Sequence, residues 1–165
     1  MKKLNKIHFT IASIMLVFSI NSNAQILKAE IKAAGLTCSM CSNAINKQLK
    51  TMPEVASVAT DLNANTFIVT LIAGNNLSPK IFKEKVEKAG FSIGSLMVTT
   101  KRETIAKNNY ILVNDKKTEA NEVKFQVVDQ GYVTAKEYKK LSKLYKNMAT
   151  YLANNDDDFH IKITN

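Results

Sequence analysis

Leu27-Lys28-Ala29-Glu30-Ile31-Lys32-Ala33 alternates apolar with charged residues, and after Ala34 comes Gly35-Leu36-Thr37-Cys38-Ser39-Met40-Cys41. Period-two alternation is the pattern of a half-buried strand. Gly35 to Cys38 reads as a loop. From Ser39 the spacing turns helical, with Met40, Ala44, Ile45, Leu49 and Met52 on one face and Pro53 as a stop. Two thiols are thus expected where a strand gives way to a helix. A helix N-terminus carries partial positive charge and unpaired amide donors, which favour thiolate over thiol. Thiolates select soft ions, and two sulfurs alone suit near-linear Cu(I) better than Zn(II), which prefers four ligands. Cys38 and Cys41 are the candidate metal ligands.

Outward from this corner the period keeps switching. Val58, Thr60 and Leu62 alternate, Asn63-Ala64-Asn65 is a turn, and Phe67, Val69 and Leu71 form the return strand. Ser78 caps a helix with Pro79 in its first turn. Ile81, Phe82, Val86 and Ala89 give that helix an apolar face, and Gly90 ends it. Phe91 to Val98 supplies a fourth strand. Strand–helix–strand–strand–helix–strand is the split βαβ order, an α+β class.

Beyond it, Lys101 to Asn109 is polar and reads as a linker or irregular strand. Tyr110 to Val113 and Glu122 to Val128 are strand candidates. Thr134-Ala135-Lys136-Glu137 matches a capping box, and Tyr138, Leu141, Leu144, Tyr145 and Met148 continue it as one amphipathic helix to about Leu152. Its lysine face is what a solvated helix shows, and equally what a partner could dock on. Asn154 to Asp158 is a polar loop and Phe159 to Ile163 a closing strand. The expected organisation is therefore residues 25–100 as one unit and 101–165 as a second, small α+β unit of open role.

Residues 1–24 stand apart. Lys2, Lys3 and Lys6 precede an apolar run from Phe9 to Ile20, and Asn21-Ser22-Asn23-Ala24 places small residues before a cut at Gln25. That is the anatomy of a secretory signal peptide, too short to remain as a spanning anchor. The expected location is periplasmic or secreted. Without this segment 20 basic and 14 acidic residues remain, a net charge of +6 spread along the chain. There is no basic stripe with a recognisable motif, which argues against nucleic acid. Two cysteines three positions apart would close a loop too small to restrain an unfolded chain, so their role is chemical.

Gly35-Leu36-Thr37-Cys38-Ser39-Met40-Cys41 resembles the Gly-Met-Thr-Cys-x-x-Cys loop of heavy-metal-associated domains. The helix from Ser42 to Leu49, Pro53-Glu54-Val55-Ala56-Ser57-Val58, and Val86-Glu87-Lys88-Ala89-Gly90-Phe91 fall in that family's order over residues 25–98. The resemblance implies a ferredoxin-like βαββαβ fold. It also implies transfer of Cu(I), or of Zn(II), Cd(II) or Hg(II), between donor and acceptor proteins, with Cys38 and Cys41 as ligands. Leu36 replaces the family's usual methionine, a volume-conserving change. Phe91 takes the place in the facing loop where many bacterial carriers have tyrosine. It either shields the sulfurs from water or simply closes the core. A metal-bridged homodimer is one arrangement the pair permits.

The competing readings are a thiol–disulfide redox protein and an interaction module whose C-terminal unit carries the function. No Cys-Gly-Pro-Cys motif or thioredoxin-like order supports the first. No nucleophile–base pair or phosphate loop points to an enzyme. Met40 is read as packing or exposed contact, His160 as structural or exposed rather than a ligand, and Asp156-Asp157-Asp158 as a solvated turn lacking an EF-hand's spacing.

Overall fold

Ile26, Ala29, Ile31 and Ala33 are buried, while Lys32 is exposed and Lys28 and Glu30 only partly covered, so β1 (Ile26–Ala34) has one face in the core. The computed structural model describes residues 26–36, 39–107, 109–114, 116, 118–155 and 158–164. The expected signal peptide, Cys38 and the Asp156-Asp157 pair lie outside them.

After β1 come α1 (Ser39–Leu49), β2 (Val55–Asp61), β3 (Thr66–Leu71), α2 (Pro79–Lys88) and β4 (Ser92–Lys101). β1 pairs antiparallel with β3 on one side and β4 on the other, and β2 pairs with β3. This is the ferredoxin-like βαββαβ arrangement. Asp61 Oδ1 accepts from the N–H groups of Asn63 and Ala64, and Asn65 takes φ 50°, which closes the β2–β3 hairpin. Gly90 leaves α2 at φ 86°, a conformation that favours glycine.

α1 lays Ser42, Ile45 and Leu49 on the core, and Met52 follows them in the turn after the helix. Met40 departs from the expected face and stands 82% exposed. At 3.6 residues per turn it points about 140° away from Ile45, so it cannot share that stripe. In α2, Phe82 and Val86 are fully buried. Ser78 occupies the N-cap position without a side-chain capping bond.

The remaining elements are α3 (Arg102–Lys107), β5 (Tyr110–Leu112), β6 (Glu122–Val127), α4 (Ala135–Leu144), α5 (Ala149–Ala153) and β7 (Phe159–Ile163). β6 pairs antiparallel with β4, β7 with β6, and β5 runs parallel to β7. One seven-stranded sheet results, in the order β2-β3-β1-β4-β6-β7-β5. The expected boundary at residue 100 falls inside β4, and the sheet runs across it. Val123, Phe125, Val127, Phe159 and Ile161 join the same apolar cluster as Ile31, Phe67 and Phe82. The Tyr110 ring lies 5.1 Å from Phe125 and 6.0 Å from Phe159, sealing the far end.

Two expectations change here. Lys101–Asn109 is not a linker or strand over most of its length: residues 102–107 form a short helix that buries Thr104 and half-buries Ile105. The single helix expected to Leu152 is two. The Tyr145 N–H donates to the Leu141 carbonyl at 2.8 Å and the Met148 N–H to the Tyr145 carbonyl at 2.9 Å, and the chain turns between them. The turn swings Tyr151 onto the sheet, where it is fully buried and its hydroxyl donates to the Val128 carbonyl at 2.7 Å. The capping box holds at its first bond, the Thr134 hydroxyl accepting from the Glu137 N–H at 3.2 Å.

A cross-sheet ion cluster links the early and late strands. Glu30 on β1 reaches Lys124 on β6 at 2.7 Å and Lys28 at 3.0 Å. Burial opposes ionisation of Glu30. The two lysines outweigh it and hold the carboxyl below its usual range.

Candidate metal centre

Gly35 takes φ 77° directly after β1, and this left-handed residue turns the chain out of the strand. Leu36 then drops back into the core at 8% exposure, packing the base of the loop as expected for the residue in methionine's place. α1 starts at Ser39, so Cys41 lies in its first turn. Cys41 is half-buried and rests against the core cluster. No acidic side chain occupies that first turn.

Phe91 follows the end of α2. The Phe91 N–H donates to the Val86 carbonyl at 3.1 Å, and the Phe91 side chain is half-buried against the core. β1 and β4 bring the Gly35 turn and Phe91 to one end of the sheet, since Ala34 pairs with Ser92, the residue after Phe91. Ser42 is buried one residue beyond Cys41, and the adjacent Asn46 is anchored by its Nδ2 to the Thr60 hydroxyl at 2.8 Å. The helix that carries Cys41 is therefore fixed to β2 as well as to the core.

Of the expected ligands, Cys41 is placed at the helix start, and Cys38 lies outside the described residues. Among the described residues no group of three or more His, Cys, Asp or Glu is arranged to hold a metal. His160 is 1% exposed on β7 and has both ring nitrogens engaged. Its Nδ1 lies 2.7 Å from Asp129 Oδ1, its Nε2 is 3.0 Å from the Thr150 hydroxyl, and its backbone N–H donates to Asp129 Oδ2 at 2.7 Å. This histidine is a structural tie between the sheet and the α4–α5 hairpin, with no lone pair left to offer a metal. Burial raises the Asp129 carboxyl above its usual range despite the bonds it accepts from His160. The isolated sequence showed His160 but not its partner, because Asp129 is 31 residues away and meets it only through the β6–β7 pairing.

A heavy-metal-associated domain model matches residues 30–92, the span from mid-β1 to the start of β4. No curated protein matches the chain. Solved structures with similar folds include a yeast copper transporter domain studied in apo and Cu(I)-loaded states. It is 31% identical, with 41% of this chain and 90% of that one covered and a TM-score of 0.37. Another is the N-terminal domain of a potential copper-translocating P-type ATPase from Bacillus subtilis. That domain is 30% identical over 42% of this chain and 85% of its own, with a TM-score of 0.37. Through residues 30–92, the chain belongs to the heavy-metal-associated domain family.

Proposed function

We propose that this chain is a non-enzymatic carrier of a soft metal ion outside the cytoplasm, with Cys38 and Cys41 as its thiolate ligands. Cu(I) is the preferred cargo, ahead of Zn(II) and Cd(II), because two sulfurs satisfy a near-linear ion and leave a tetrahedral one short of ligands; Hg(II), which also accepts two thiolates in line, is the alternative cargo. The observation that carries the reading is the corner itself. A left-handed Gly35 and a buried Leu36 lead to Cys41 in the first turn of α1, inside the matched domain. An open two-sulfur site lets an incoming thiolate from a donor or acceptor protein displace one ligand at a time. Release then needs no unfolding of the core beneath. The half-buried Phe91 side chain supplies an apolar wall without adding charge to a bis-thiolate complex. Export is read from residues 1–24, whose charged start and apolar run have signal-peptide anatomy.

An anaerobic competition titration tests this. Reduced protein is titrated with Cu(I) against a chromogenic chelator, beside the Cys38→Ser/Cys41→Ser double variant, with Zn(II), Cd(II) and Hg(II) in parallel. Saturation at one ion per chain or per dimer, tighter for Cu(I) than for Zn(II) or Cd(II) and lost in the variant, supports the carrier. Equal competition by the variant defeats it.

A further inference from the structure

α4 covers little of the fold it belongs to. None of its ten residues is buried. Its contact side carries Tyr138 and Tyr145, whose rings lie 5.8 and 5.2 Å from Tyr151. The opposite side is basic. At 100° per residue, Lys136, Lys139, Lys140 and Lys143 fall within an arc of about 100°. All four are exposed, and Lys146 follows in the next turn. Glu137 is the one acid between residues 134 and 146, and no ion pair with a described residue neutralises any of the four lysines. Leu144 borders the arc at 69% exposure, and Leu152 of α5 is 51% exposed. A packed surface helix normally turns its leucines inward. Among the described residues, two of the most exposed leucines thus belong to the same hairpin as five exposed lysines.

We propose that the outer face of α4 docks on an anionic phospholipid surface. Charge complementarity sets the sign of the partner, and size sets its kind. A ten-residue helix is about 15 Å long and about 10 Å wide, so its face offers on the order of 150 Å². A stable protein partner needs about 800 Å² a side. An in-plane basic helix on a bilayer needs only its charge and a few apolar contacts. Long lysine stems lie along the surface while Leu144 reaches the headgroup boundary. Val133, immediately before the α4 cap, bridges to Ser95 on β4, close to the end of the sheet where Ala34 meets Ser92. The reading of α4 stands apart from the metal reading, since it uses no residue of the cysteine loop.

The test is flotation of the full chain with vesicles of phosphatidylcholine alone and of 70:30 phosphatidylcholine:phosphatidylglycerol. The wild type is compared with Lys136→Gln/Lys140→Gln/Lys143→Gln and with the matching triple Arg variant. Residues 1–24 are common to all three chains, so differences between them report α4. At the usual contribution of a lysine near an anionic surface, three charges removed weaken partitioning on the order of 100-fold. The Arg variant keeps it, and 0.5 M NaCl suppresses it in both. Binding to the anionic vesicles unchanged in the Gln variant, with an unaltered circular dichroism spectrum, overturns the proposal. Capture by polyglutamate without any vesicle binding also overturns it, and makes the partner an acidic protein.

Discussion

Phe125→Ala tests whether the late strands are part of the metal-binding domain's core or an appendage to it. Phe125 is fully buried on β6, opposite Val98 of β4 and Ile163 of β7, with its ring 5.1 Å from Tyr110. Truncating a buried phenylalanine costs about 3–5 kcal/mol, from lost transfer energy and the cavity left behind. With a urea slope of about 2 kcal/mol per molar, the midpoint falls by about 2 M. The sequence supplies two independent probes. All five tyrosines lie between residues 110 and 151 and there is no tryptophan, so tyrosine fluorescence reports only the late elements. Met52, 4% exposed beneath α1, reports the early ones through its methyl resonance. One sheet with one apolar cluster requires both probes to give the same transition, shifted by the same amount. A fluorescence midpoint that moves while the Met52 midpoint stays would refute the single core.

Three further outcomes follow from particular contacts. Glu30→Gln removes the Lys124 and Lys28 pairing; because the folded carboxyl is held below its usual range, the stability it contributes is present above about pH 4.3 and lost as pH falls through the folded value. Thermal melts of wild type and variant are therefore expected to differ at pH 6 and converge on acidification, and a gap that widens in acid contradicts the assignment. Tyr151→Phe leaves the buried Val128 carbonyl without its hydroxyl donor, at a cost of about 1–3 kcal/mol. The melting temperature is expected to drop by about 5 °C, and an unchanged value would mean that another donor replaces it. Oxidising Cys38 and Cys41 to a disulfide is expected to abolish Cu(I) binding while leaving the circular dichroism spectrum intact, and tight binding by the oxidised form would refute a dithiolate site.

The first 70 residues of the described fold were legible because each strand there alternates and each helix ends on Pro53 or Gly90. Met40 on the buried face came from reading an apolar side chain as core when its angle on α1 put it in solvent, and Leu62, read as continuing an alternating strand, lies beyond β2 and is 55% exposed. The later segment was harder for physical reasons. Residues 102–107 form a helix too short to show a period, and it turns only Thr104 and Ile105 toward the core among the described residues. The break after Leu144 carries no proline or glycine. What selects it is tertiary: Tyr151 gains a buried hydrogen bond only if the chain turns. Nor does local pattern reveal that β6 joins the free edge of β4, because that register depends on residues far apart in sequence, such as Val98 and Phe125. Cys38 and Cys41 were read from spacing and resemblance; α1 carries Cys41 in its first turn, and Cys38 lies outside the described residues.

X-ray absorption at the copper edge of the Cu(I)-loaded protein tests the central claim most directly, because it counts the atoms bound to the metal. Two sulfur neighbours per copper and no nitrogen or oxygen, with the signal lost in Cys38→Ser/Cys41→Ser, is the result expected of a dithiolate carrier. A first shell containing nitrogen or oxygen, or one that survives the double substitution, would contradict it.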